Sequence, residues 1–108
     1  MKTLKFTPDL VNLILSGEKT STWRLFDDKD LQVGDDLVFI NKETGEKFGT
    51  AKITSMNVRT LGTLTDADWV GHEKFASEEE MYKSYRKYYG DKVNPGSEVK
   101  IINFDFKK

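Results

Sequence analysis

The sequence predicts an α+β fold, a small mixed β-barrel flanked by two or three helices. Three observations lead there. Two segments carry helix signals at both ends, and the other apolar stretches are short and rich in β-formers. The strands, finally, cannot each be followed by a helix, which excludes an alternating α/β arrangement. A chain of 108 residues suits one domain spanning residues 1–108, and no repeat or low-complexity linker divides it.

The elements follow in order. Residues 3–6 read as a first strand. Thr7-Pro8-Asp9 then supplies an N-cap, a proline at the first helical position and an acid in the first turn. Leu10, Leu13 and Ile14 recur at helical spacing, and Gly17 stops the helix. Residues 20–25 are extended, 27–30 form a polar, solvated loop, and Val33-Gly34-Asp35 is a turn. Residues 36–41 read as a buried strand, with Glu43-Thr44-Gly45 as its hairpin turn. Residues 47–60 alternate as one long strand whose pattern slips near Thr50, the mark of a bulge. Thr65-Asp66 opens a short helical turn. Ser77-Glu78-Glu79-Glu80 is a capping box for a second helix that runs to about Tyr89 and ends at Gly90. Pro95-Gly96 turns the chain into a last strand over residues 98–106. Its Val99, Ile101, Phe104 and Phe106 share a face only if one irregularity intervenes.

Composition narrows the function. Lys plus Arg number 17 and Asp plus Glu 18, for a net charge of −1. That excludes a protein held to nucleic acid by bulk charge but permits a local basic groove. The seven Phe, four Tyr and two Trp provide a bulky core. With no cysteine there is no disulfide, thiolate zinc site or cysteine nucleophile, and one histidine makes no multi-histidine metal site. The acids around Asp28 miss the EF-hand pattern, since Val33 stands where its glycine belongs. No phosphate loop or dinucleotide fingerprint is present, so no metal or cofactor is expected. No stretch approaches the ~20 apolar residues of a membrane span, and the first residues lack a signal-peptide core. The expectation is a cytoplasmic monomer with no membrane association.

The richest stretch is Gly17-Glu18-Lys19-Thr20-Ser21-Thr22-Trp23-Arg24, which places a lysine, three hydroxyls and an arginine just after a helix end. That density of donors suits an anionic or carbonyl-bearing ligand. In a strict strand Thr20, Thr22 and Arg24 share one face, and Ser21 and Trp23 the other. The plain alternative is a C-cap lysine followed by ordinary strand threonines. The second helix interleaves Met81, Tyr82, Tyr85, Tyr88 and Tyr89 with Lys83, Arg86 and Lys87. The pattern fits base-stacking aromatics among phosphate-binding cations, but also an amphipathic helix packed by its aromatic face. Arg86, at the edge of that face, is kept as a ligand contact. Trp23 and Trp69 suit either base stacking or the core, and His72 reads as a satisfied structural histidine.

The run Gly-x-Lys-x-x-Thr-x-Arg after a first helix resembles the signature of the ASCH domain, a branch of the PUA-like superfamily. Gly34-Asp35, Thr63-Leu64-Thr65, Gly71-His72-Glu73-Lys74-Phe75, Ser77-x-Glu79-Glu80-Met81 and Tyr88-Tyr89-Gly90 follow in family order over nearly the whole chain. The resemblance implies a PUA-like β-barrel with a cleft beside the first helix, associated with RNA or modified nucleosides. Small bacterial members of this family include amidohydrolases that deacetylate N4-acetylcytidine with a Lys, a Thr and a Glu. By position these are Lys19, Thr22 and Glu73, with Glu78, Glu79 and Glu80 as alternatives for the last. Arg24, Ser21, Trp23 and Arg86 are then expected to bind substrate. Other members are RNA-binding or ribonucleolytic, so a non-catalytic module or a ribonuclease using the same cationic cleft stands as the alternative. A nucleoside or short single-stranded RNA is the expected partner.

The chemistry has its own logic. Amide hydrolysis needs a nucleophile, a base and stabilisation of an oxyanion. Thr22 attacks only if Lys19 is neutral, which asks for a drop of roughly 3 pKa units, about 4 kcal/mol. Burial and Arg24 push that way; a nearby Glu73 opposes them. Glu73 therefore suits proton transfer to the leaving nitrogen or orientation of water.

Overall fold

The computed structural model describes residues 1–27 and 29–108. Five strands, β1 (Lys2–Phe6), β2 (Ser21–Leu25), β3 (Asp36–Asn41), β4 (Lys47–Thr60) and β5 (Glu98–Lys107), form one curled mixed sheet, a half-barrel in the order β1-β3-β4-β5-β2. β1 and β3 run parallel and every other pair antiparallel. A parallel neighbour demands a crossover, and helix α1 (Pro8–Leu15) and β2 lie within it. Helix α2 (Glu78–Tyr89) follows two 3-10 turns at Leu61–Thr63 and Asp66–Trp69. The α+β class and the barrel-like sheet thus stand, with two α-helices among the described residues.

The helix ends show how local chemistry sets the path. Ser77 Oγ accepts the Glu80 N–H at 3.2 Å and opens α2, and Gly90 closes it with φ 88°. The Thr7 hydroxyl does not cap α1; it donates to Asp9 Oδ1 at 2.6 Å instead. At the other end the N–H groups of Glu18 and Lys19 both donate to Leu13 O at 3.0 Å. This tight turn, through Gly17 at φ 83°, swings Lys19 inward.

The core has two parts. Leu4, Phe6, Val11, Ile14, Leu37, Phe39, Ile53, Ile102 and Phe104 fill the concave side under α1. Trp23, Leu25, Met81, Tyr85, Val99 and Ile101 pack the other side against α2. β5 is therefore buried on both faces: Val99 and Ile101 point one way, Ile102 and Phe104 the other. The irregularity that Val99, Ile101, Phe104 and Phe106 need to share a face is absent from β5, and they divide between its two sides; a doubly covered strand has no polar side to reveal its period.

Two slips flank the expected one at Thr50. β4 gains an extra residue at Phe48, between the pairs Phe39↔Gly49 and Ile40↔Lys47, and another at Thr54. Gly49 is needed beside the first, since a Cβ there would run into the Phe106 ring. The polar loop is also less solvated than expected. The Asp27 side chain is only 4% exposed, accepting from the N–H groups of Lys29 and Leu31 at 2.9 Å each and from Lys100 Nζ at 2.7 Å. Asp28 lies outside the described residues.

Candidate active site

Register decides which side chains meet. Thr22 pairs with Ile102 and Trp23 with Ile101, and cross-strand partners project to the same face. Thr22 and Arg24 consequently face the concave side, whereas Trp23 and Leu25 face α2. Arg24 crosses the open seam of the half-barrel. Its Nη2 donates to Lys5 O on the opposite edge strand at 3.2 Å, and its guanidinium lies 5.1 Å from the Phe6 ring centre. The Nε of Arg24, the Trp23 Nε1 and the Ser21 Oγ are buried without a hydrogen-bond partner.

Lys19, only 2% exposed, ends inside the protein with Nζ 2.5 Å from Glu73 Oε2. Of the glutamates weighed from the sequence, Glu73 makes this contact, while Glu78, Glu79 and Glu80 lie exposed in the first turn of α2. Glu73 is brought in by backbone: Gly71 O accepts the N–H groups of Thr20 at 2.9 Å and Ser21 at 3.1 Å. The loop 71–73 is thus laid across the start of β2. Gly71 has φ 76°, and a Cβ would clash with Thr20 Oγ1. Gly71→Ala is expected to cost about 1–2 kcal/mol from the left-handed backbone alone and to move Glu73 off Lys19. Urea denaturation checks the first effect.

His72 follows the same path. It is 6% exposed and stacks on Trp23 at 4.0 Å. Its Nδ1 donates to Glu73 O at 2.6 Å, and Nε2 lies 3.1 Å from Glu73 Oε1. Burial, aided by the Lys19 charge, lowers its pKa from 6.5 to about 4. The unfolded chain therefore takes up this proton first as the pH falls. Stability is full above 6.5 and declines toward 4, by about 3 kcal/mol. Denaturation of His72→Gln beside wild type at both ends of that window is expected to show that share of acid sensitivity missing.

Burial is also the largest influence on Lys19 and pulls its pKa below the ordinary lysine value. The carboxylate and hydrogen bond of Glu73 oppose this, and Arg24 adds to it. Burial wins. Among the described residues no group of His, Asp and Glu side chains gathers to hold a metal ion.

Thr22, Trp23, Arg24, His72 and Glu73 line a cleft of about 520 Å³, within the size range of small-molecule sites. Tyr85, Tyr88 and Tyr89 of α2 form its aromatic wall. The helix that reads as a packing face from sequence is therefore also a cleft wall, because Tyr88 stays 55% exposed where the barrel curves away. Lys5, Arg24, Lys29 and Lys42 line the cleft against Asp9 and Glu73. A chain of net charge −1 thereby has a locally basic groove. Two predicted contacts stand apart. Arg86 Nε donates to Val93 O at 3.2 Å and its guanidinium lies over Tyr82, and Ser21 is wholly buried. Sequence reasoning gave no role to Gly71, whose positive φ has no local signature.

No family model and no curated protein matches the sequence. Solved structures do. The hypothetical protein PH0355 superposes with a TM-score of 0.75 at 23% identity, over 99% of this chain and 100% of its own. The ASCH domain from Lactobacillus crispatus JV V101 gives 0.70 at 20% identity, over 97% of this chain and 78% of its own. ASCH from Zymomonas mobilis gives 0.63 at 19% identity, over 95% and 65%.

Proposed function

We propose, from the premise that this chain folds as an ASCH domain, that it is a metal-independent amidohydrolase acting on N4-acetylcytidine. The observation that carries the reading is a lysine 2% exposed, 2.5 Å from a carboxylate at the wall of a cleft that Thr22 also lines. Burying an ammonium is costly and adds little to stability even when it is paired, so a role in chemistry accounts for the arrangement better than packing does.

In this reading neutral Lys19 takes the Thr22 hydroxyl proton as Oγ1 bonds to the acetyl carbon. The oxyanion develops beside Arg24, whose buried Nε has a free donor. The C–N4 bond then breaks, with the proton returning from Lys19 to the leaving nitrogen through Glu73. Water hydrolyses the threonine ester to acetate by the same groups in reverse. The cytosine ring lies against the tyrosine wall. Because Lys19 must be neutral, the rate rises with pH through its lowered pKa.

Incubation of Thr22→Ala with N4-acetylcytidine tests the nucleophile. The expected loss is about a thousandfold or more, and a wild-type rate would exclude Thr22. Saturable, salt-sensitive binding with no turnover by the wild type would favour a non-catalytic RNA- or nucleotide-binding module, and RNA cleavage lost in Lys19→Ala a ribonuclease.

A further inference from the structure

A second cavity, of about 530 Å³, opens beside β2 on the face that carries Arg24 and is lined by Arg24, Phe26, Asp27, Lys92, Glu98 and Lys100 among others. Arg24 belongs to its wall and to the wall of the catalytic cleft alike. The two openings are also joined by rings. Tyr85 and Tyr89 stand 6.3 Å apart, and Tyr89 meets Phe26 edge-on at 5.8 Å.

Phe26 is the unusual member. It has φ 50°, a conformation that a bulky side chain adopts only under strain. A turn at this point needs no more than glycine or asparagine. The phenylalanine instead places a ring 42% exposed at the cavity mouth, with Lys92 Nζ 4.3 Å from its centre. Of the carboxylates there, Asp27 is engaged by Lys100, which leaves Arg24 and Lys92 facing Glu98. An exposed ring beside a cation, continuous with an aromatic cleft, is the chemistry by which proteins hold successive bases of a single strand.

We infer that this cavity is a second nucleotide subsite: the base next to the one in the cleft stacks on the face of Phe26 opposite Lys92, and its phosphate lies on Lys92. The inference rests on the reading of the cleft as a cytidine site and makes a single-stranded oligonucleotide, rather than a free nucleoside, the full ligand.

Titrations of cytidine and of cytidylyl-(3′→5′)-cytidine test it by calorimetry, on wild type, Phe26→Asn and Lys92→Ala. One base–aromatic stack is worth about 5- to 150-fold in affinity, so the dinucleotide is expected to bind at least about fivefold more tightly than cytidine. Phe26→Asn keeps the turn and the melting temperature, leaves cytidine binding alone and erases the dinucleotide's advantage. Lys92→Ala reduces that advantage and flattens its dependence on salt. Equal binding of the two ligands by wild type, or an undiminished advantage in Phe26→Asn, overturns the subsite. If cytidine fails to bind while Phe26→Asn still weakens the dinucleotide, the subsite stands and the cytidine reading of the cleft falls. If neither ligand binds, both fall.

Discussion

Lys19→Met is expected to remove turnover, by about a thousandfold or more, while leaving the protein as stable as the parent or more so. The two effects have one cause. Lys19 is 2% exposed, in the turn that follows α1, so folding strips its ammonium of water. The contact with Glu73 at 2.5 Å returns part of that cost, yet its pKa remains below the ordinary value. Replacing a buried ion pair's cation with an apolar chain of similar length removes the desolvation term. The usual penalty for stranding the partner is small here, because the Glu73 side chain keeps 24% of its surface exposed. Denaturant unfolding beside a rate measurement separates the effects. Loss of several kcal/mol in Lys19→Met would make the lysine a structural residue. Stability retained with activity lost is the signature of a group held for chemistry at the expense of the fold.

Trp23→Ala is expected to cost about 3–5 kcal/mol, a large share of the roughly 5–15 kcal/mol that holds a domain of this size. Trp23 is 3% exposed and touches His72 at 4.0 Å, Trp69 at 4.5 Å and Tyr85 at 6.3 Å between ring centres. It joins β2, the loop that carries Glu73 and helix α2 in one cluster, so the cavity left by truncation cannot close without moving all three. Trp23→Phe is the informative control. The indole Nε1 is buried with no partner, so losing it relieves a desolvated donor, and the smaller ring is expected to cost about 1–2 kcal/mol. Urea midpoints for the two variants check the ordering. A Trp23→Ala midpoint within error of Trp23→Phe would show that the cluster is not held by this side chain.

Much of the fold was legible because its signals are local. Pro8, Gly17, Ser77 and Gly90 mark helix ends by chemistry confined to a turn, and the hairpin at Glu43-Thr44-Gly45 needs nothing from elsewhere in the chain. β5 was misread because both its faces are covered. The bulges at Phe48 and Thr54 were read as one slip near Thr50, because register depends on the partner strand. Within the site, Lys19 and Thr22 were legible as neighbours in one short motif. Glu73 was reached only by resemblance, since it arrives through two hydrogen bonds to Gly71 O, 54 positions along the chain from Lys19. The bridge from Arg24 to Lys5 O and the cavity at Phe26 depend on how the sheet curls, which no sequence period records.

In the proposed reaction a buried lysine, a threonine and a glutamate hydrolyse an N-acetylated cytidine. Its most direct test is release of cytidine from N4-acetylcytidine by purified protein, followed by chromatography across pH, with Lys19→Met alongside. Wild type is expected to release cytidine and acetate in equal amounts, at a rate that climbs with pH, and the variant to release none above background. No cytidine from wild type at high protein concentration, or equal release by both proteins, would contradict it.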